Sequence, residues 1–424
     1  MKASAQDILD RAKQVLYGNL QTGYSSWAKT DYKYVCPSKS HYSHQWFWDS
    51  CFHAIVLSNF DAELAKNELL NLVKIQRPDG FLPHVIYWKP PLVSTHGASL
   101  ESKFSFRPKT TELIQPPLLA EATYIVYRRS KDKLFLLDMV PKLVGYYRWL
   151  AENRDPDEDG LISIIAPYES GMDQSPSYDQ ICQIRAKNRL NVALGCRRVT
   201  LKNMVRGYNL NKIFDDDYFN VEDVLVNSIY IRNLKILARL LTFVEKDKEA
   251  EKFLLLAEKG KAALQDKCFD TTAGFFFDNY SQKENRTRSI TIKGLMPLVA
   301  GIDKKFAQEL VDKHLNNKKE FALPYLVPTV AANDPDFKSS PGMILGEPII
   351  WRGPTWINTN WYLALGLKEH GFATEAEKII ETSLELVGRE GFREFFDPFT
   401  GKGYGTDNFS WSTLVVDMMS GMHY

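Results

Sequence analysis

Apolar residues recur at helical spacing along most of the chain. Between 246 and 265, Ala250, Phe253, Leu254, Ala257 and Leu264 form one stripe while Lys248, Glu251, Lys252 and Glu258 point away from it, as expected of a helix with one packed face. Ala373, Ala376, Ile380, Leu384 and Val387 repeat the pattern over 372–388. The same period runs through 6–16, 46–58, 61–76, 112–128, 134–151, 221–242, 289–299, 304–314, 355–369 and 408–421, predicting about twelve helices. Segment 221–242 is apolar on more than one side, through Val224, Leu225, Ile229, Ile231, Leu234, Leu237 and Leu241, and belongs to an inner layer.

Connections between these segments alternate in length. Those near 59–60, 129–133, 243–246, 300–303 and 370–371 are short, and short turns make antiparallel helix hairpins. Those at 17–45, 77–111, 152–220, 266–288, 315–354 and 389–407 are long, and compact domains keep long connections for function. Six hairpins in a ring would gather all the long connections at one end, so the pattern predicts an all-α fold, an (α/α)6 barrel with one elaborated rim. No fixed repeat, low-complexity tract or Pro/Gly/Ser linker interrupts it, which predicts a single domain over 1–424.

With 53 Lys and Arg against 52 Asp and Glu, the net charge of +1 gives no field to attract nucleic acid or an anionic membrane. Residues 1–20 are broken by Lys2, Asp7, Asp10, Arg11 and Lys13, unlike a signal peptide, and no run of apolar residues is long enough to span a membrane. The expected location is cytoplasmic. Cys36, Cys51, Cys182, Cys196 and Cys268 contain no CxxC pair and read as reduced packing residues.

The long segments carry the chemistry. Trp48 and Asp49 open a helix among Trp46 and Phe47; ring faces stack on sugar C–H surfaces while a carboxylate accepts hydroxyls, although Asp49 could equally cap the helix. His41 and His44 lack a third ligand, so no metal is assigned. His84 is suited to a sugar or to a backbone carbonyl, and Gln115, before Pro116 and Pro117, to the pocket or to a helix cap. Asp155, Asp157 and Asp159 with Gly160 open like a calcium loop, but the twelfth position is Ala166 where that loop needs Glu, so a tight polar turn is expected. Glu169 and Asp173 flank a Gly-containing turn that is either a surface turn or the seat of a general acid raised by burial. Trp351, Arg352 and Trp356 place two rings and a guanidinium able to pair with a carboxylate at a helix start. Glu394 lies among Phe392, Phe395 and Phe396, where a carboxylate either works or is paired, Arg393 being the adjacent partner.

No phosphate loop, dinucleotide fingerprint, nucleophile elbow or HExxH motif is present, and no cofactor is expected. Carboxylates with aromatic rings suit glycosidic cleavage, in which one carboxyl group protonates the leaving oxygen and another activates water. In order along the chain, WFWDS (46–50), PH (83–84), QPP (115–117), ESGMDQSP (169–176), VED (221–223), WRGPTW (351–356) and REFFDPFTGKGYG with NFSWS (393–412) together resemble glycoside hydrolase family 63. The resemblance implies an inverting α-glycosidase with Asp173 as general acid and Glu394 as general base. It further implies that Trp48, Asp49, His84, Gln115, Glu169, Trp351, Arg352 and Trp356 line the first sugar subsite or position its carboxylates. In size the chain is similar to the family's hydrolases of mannosylglycerate and glucosylglycerate, which makes a small carbohydrate the expected partner. In those enzymes an Arg and a Tyr after the acid motif hold the glycerate carboxylate; the stretch 177–220 is shorter here, and Arg197, Arg198, Arg206 and Tyr208 stay unassigned. Another α-glucoside, or a non-catalytic carbohydrate-binding barrel, are the alternative readings.

Overall fold

The computed structural model describes residues 4–90, 101–103, 107–184, 189–340, 342–344 and 347–422. Helices dominate: α1 (Ala5–Gly18), α2 (Phe47–Leu57), α3 (Ala62–Val73), α4 (Leu119–Ser130), α5 (Lys133–Asn153), α6 (Arg189–Val205), α7 (Leu210–Asp216), α8 (Val224–Phe243), α9 (Asp247–Ala263), α10 (Pro297–Ala300), α11 (Lys304–Leu310), α12 (Ile357–Glu369), α13 (Ala373–Glu390) and α14 (Val415–Met419). Side chains fix several starts. Ser4 accepts the Asp7 N–H, Asp61 that of Leu64, Asp132 those of Leu134 and Phe135, and Asp223 that of Val226, satisfying donors that a first helical turn leaves unpaired.

Helix α4 begins at Leu119 rather than 112 because Pro116 and Pro117 keep the residues before them out of helical geometry. The segments 289–299 and 408–421 are broken helices, each a 3-10 turn (Ile292–Leu295, Ser410–Leu414) followed by a short α-helix. The connection 152–220 is not one long loop, since it contains α6 and α7. In α6 Val192, Cys196 and Val199 are buried while Leu190, Leu194, Leu201 and Val205 are exposed; apolar residues on all sides leave no stripe to read. The connection 17–45 likewise holds a hairpin of β1 (Leu20–Ser25) and β2 (Thr30–Val35), paired from Leu20–Val35 to Ser25–Thr30.

Neighbour contacts run from α2 to α4, α8, α10, α12 and the Ser410–Leu414 turn, and from that turn back to α2. Every residue of α2 is buried, as are 357–367 of α12. A second set packs outside: α3 on α2 and α4, α5 on α4 and α8, α9 on α8, α13 on α12 and α14, and α1 on α14 and the turn before it. The buried faces of α9 (Ala250, Phe253, Ala257) and α13 (Ala376, Ile379, Ile380, Leu386, Val387) therefore meet inner helices, whereas Leu254, expected in the α9 stripe, is turned out to solvent one step round the helix from Phe253. Asp417 of α14, fully buried, links α4 and α12, accepting from Arg129 of α4 at 2.7 Å and from the Trp361 indole of α12 at 2.8 Å.

No helix among the described residues is long and apolar enough to cross a membrane. All five cysteines are buried free thiols. The Asp155–Gly160 segment is a polar turn in which Asp155 accepts the N–H groups of Asp159 and Gly160 at 3.0 and 2.9 Å. The Lys267 ammonium pairs there with Asp157 at 3.2 Å and Asp159 at 2.8 Å.

Candidate active site

A cavity of about 230 Å³ opens among the long connections, just below the roughly 300–1,000 Å³ usual for small-molecule sites, a size suited to a short ligand. Asp173, Glu394, Trp48, Asp49, His84, Gln115, Trp351 and Trp356 all line it. Glu169 and Arg352 do not.

Asp173 sits on a turn built for the purpose by its neighbours. The 3-10 turn Pro167–Ser170 ends at Gly171, whose φ of +69° favours glycine. A Cβ there would lie 2.5 Å from the Trp48 indole. Ser170 Oγ accepts the Met172 N–H at 3.0 Å, and the Asp173 carbonyl accepts the Cys196 thiol at 3.3 Å. Burial pushes the Asp173 carboxyl up to about 7.

Glu394, 3 % exposed, immediately precedes the strand pair that aligns Phe395 with Tyr404. Its neighbour Arg393 pairs with Asp407 instead of with it. The Glu394 carboxylate accepts from the Tyr42 hydroxyl at 3.2 Å and from the Thr406 N–H and hydroxyl at 3.1 and 3.2 Å. Burial raises its carboxyl above the usual range while these donors pull it back. The Tyr42 phenol, pushed up by burial, also feels Asp173 and Asp49, so it lies among all three carboxyl groups.

Asp49 lies in the first turn of α2 and is 3 % exposed, and burial pushes its carboxyl well above the usual range. Gln115 Oε1 accepts the Trp48 N–H at 3.0 Å, so its amide anchors the start of α2 at the pocket wall. His84 Nδ1 meets Thr111 Oγ1 at 3.1 Å, and burial lowers its imidazole to about 3, so the ring is neutral. Trp351 stacks on Trp356 with centroids 3.7 Å apart and planes within 12°, and Trp411 meets Trp356 edge-on at 5.4 Å. The buried indole N–H groups of Trp46, Trp356 and Trp411 find no acceptor among the described residues.

Two expected pocket residues stand behind the wall instead. Glu169, fully buried, accepts both ends of the Arg154 guanidinium at 2.6 and 2.7 Å and the N–H groups of Ile114 and Ile165 at 2.9 and 2.7 Å, leaving nothing to offer a sugar. Arg352 meets neither Asp173 nor Glu394: its guanidinium forks onto Asp179 at 2.5 and 2.9 Å. They hold the chain on either side of Asp173, Glu169 to the segment before Gln115 and Arg352, through Asp179, to Trp351. Of the cations left unassigned after the acid motif, Arg197 reaches the wall, while Arg206 pairs with Asp216. Sequence reasoning missed Tyr42, Glu101 and Tyr168 as wall residues. Only Tyr42 had a signal, its place in the aromatic run 42–48.

A mostly helical chain with carboxyl groups and stacked indoles around a small cavity is laid out as a glycoside hydrolase. Residues 42–412 match the family described as the mannosylglycerate hydrolase MGH1-like glycoside hydrolase domain, and the chain belongs to that family. It is 32% identical over 409 residues to the mannosylglycerate hydrolase of Thermus thermophilus, covering 90% of this chain and 95% of that one. A crystal structure of the family 63 mannosylglycerate hydrolase from the same species, with Tris and D-glycerate, superposes with a TM-score of 0.84 at 30% identity, over 97% of this chain and 100% of the other. The glucosylglycerate hydrolase of Mycolicibacterium hassiacum is 24% identical, covering 88% of this chain and 91% of its own length. Membership of glycoside hydrolase family 63, expected from the motifs, is borne out.

Proposed function

We propose that the chain is an inverting α-glycosidase of the cytoplasm acting on mannosylglycerate or glucosylglycerate, built as a single (α/α)6 barrel over 1–424. The closed circuit of helix contacts, with a second helix layer outside, supports the barrel. One observation carries the mechanism: two carboxyl groups of one small cavity have opposite surroundings. Asp173 is raised to about 7 by burial, so a large share of it stays protonated up to neutral pH, whereas Glu394 is surrounded by three donors that favour the anion. Asp173 then gives its proton to the glycosidic oxygen as the bond from that oxygen to the anomeric carbon breaks. Glu394 takes a proton from a water that attacks the same carbon from the opposite face. Trp351 and Trp356 offer a ring surface, and Asp49 meets hydroxyls. Arg197 is the arginine that, among the described residues, lines the cavity, and it suits the glycerate carboxylate.

The test is proton NMR of the sugar first released from mannosylglycerate, glucosylglycerate, trehalose, kojibiose, nigerose and maltose. Initial β-sugar from a glycerate conjugate is expected. Initial α-sugar would overturn inversion, release only from neutral disaccharides would remove glycerate, and binding without release would leave a carbohydrate-binding protein.

A further inference from the structure

We infer that Glu101 determines specificity at the leaving-group end of the cavity, where its carboxylic acid form donates a hydrogen bond to an anionic leaving group and its ionisation repels that group. The inference rests on the glycosidase reading above, because it takes its direction from the roles of Asp173 and Glu394. The acid must reach the oxygen that joins sugar to leaving group, so the leaving group lies on the Asp173 side of the cavity and the attacking water on the Glu394 side. Glu101 lines the cavity and is 5 % exposed. It holds Glu112, two residues before Ile114, whose N–H Glu169 accepts at 2.9 Å from the turn that leads into Asp173, which puts Glu101 on the Asp173 side. Its place is therefore beside the departing group. The backbone there is held, since the Glu101 carbonyl accepts the Glu112 N–H at 2.8 Å.

Among the described residues, the groups around Glu101 do not neutralise a charge on it. Nearby Lys103 and Arg77 are both engaged with Glu112, at 3.3 and 2.6 Å. Tyr87, Tyr168 and Tyr208 feel Glu101, and burial keeps all three phenols neutral. Asp173 adds only negative charge once it has given up its proton, and the exposed Arg197 lies on the same wall without being among the groups that shift Glu101. Burial first, and Asp173 second, push the Glu101 carboxyl up to about 8. At neutral pH the group is thus a carboxylic acid with one O–H to donate, and an O–H to carboxylate bond is among the stronger kinds. Above about 8 the same position presents one anion to another in a site shielded from water. An uncharged leaving group would feel little of this.

The experiment uses D173N, which slows cleavage enough for binding to be read first and removes the titration of the acid itself. Binding of mannosylglycerate and of the uncharged mannosylglycerol is measured by calorimetry from about pH 6 to about 9.5, spanning the Glu101 transition, on D173N and on D173N/E101Q. The expected result on D173N is a Kd for mannosylglycerate that climbs by up to about tenfold per pH unit above the Glu101 transition, a flat Kd for mannosylglycerol, and loss of the climb in D173N/E101Q. A flat mannosylglycerate profile on D173N, or the same climb in D173N/E101Q, would overturn the inference. Should D173N/E101Q not fold, D173N/E101A takes its place, and the D173N comparison of charged with uncharged ligand already decides whether charge is read at all. Failure of D173N to bind either ligand at any pH would instead overturn the glycosidase reading.

Discussion

Replacing Arg154 by methionine keeps most of the side-chain volume and removes the charge that faces Glu169. The two residues are fully buried. Glu169 would lose two charge-assisted hydrogen bonds, at 2.6 and 2.7 Å, and keep those from the Ile114 and Ile165 N–H groups. Ser163 would also lose the guanidinium donor at its carbonyl, 3.2 Å away. Bonds to charged groups are worth about 1.5–3 kcal/mol each, and stripping one partner from a buried pair costs about 3–5 kcal/mol, so R154M should lie about 4 kcal/mol below the parent. Urea unfolding followed by tryptophan fluorescence and circular dichroism measures it. A cycle through R154M, E169Q and the double variant should return a coupling of at least about 2 kcal/mol, since each single change strands the other group. A loss under about 1 kcal/mol for R154M, or additive single effects, would refute the reasoning. Because Ile114 precedes Gln115, which holds the Trp48 N–H, turnover of R154M should drop as well.

On the proposed mechanism D173N and E394Q should each lower kcat by about 10²–10⁴-fold, the usual contribution of a positioned acid or base, with unchanged circular dichroism; near-normal turnover of either variant would remove that residue from its role. The pH profile of kcat/KM should be a bell. Asp173 must be protonated, so the rate is lost as pH rises through about 7. Glu394 must be ionised, so the rate is lost as pH falls through a value above the ordinary carboxylate range. Y42F removes one donor to the Glu394 anion, and its acid limb should move to higher pH while the alkaline limb stays.

Helices that bury one face, such as α9 and α13, were legible because packing writes itself into the sequence every third or fourth residue. Helix α6 was not, because Leu190, Leu194, Leu201 and Val205 face outward and blur the period. Nor was the β1–β2 hairpin, whose short strands alternate too briefly to stand out from a loop. At the site, motif order picked out residues that the fold brings to one cavity from positions as far apart as Trp48 and Glu394. It could not tell wall from support: Glu169 and Arg352 sit in the same motifs as Asp173 and Trp351, and only their partners Arg154 and Asp179, outside those motifs, reveal that they hold the wall from behind. Glu101 carries no local signal, since a single Glu in a polar stretch looks solvated until the fold closes over it.

The meeting of Gly171 with Trp48 has a historical consequence. The indole lies against the α-carbon of the glycine so closely that a methyl group would have to occupy its space, 2.5 Å from ring atoms, and the left-handed backbone at 171 already disfavours a side chain. Drift at either position is therefore tied to the other. A descendant that gains a side chain at 171 must shrink or swing the ring at 48, and doing so redraws a wall of the cavity. The shape of the cavity is thus written in part at a glycine that brings no side chain to it.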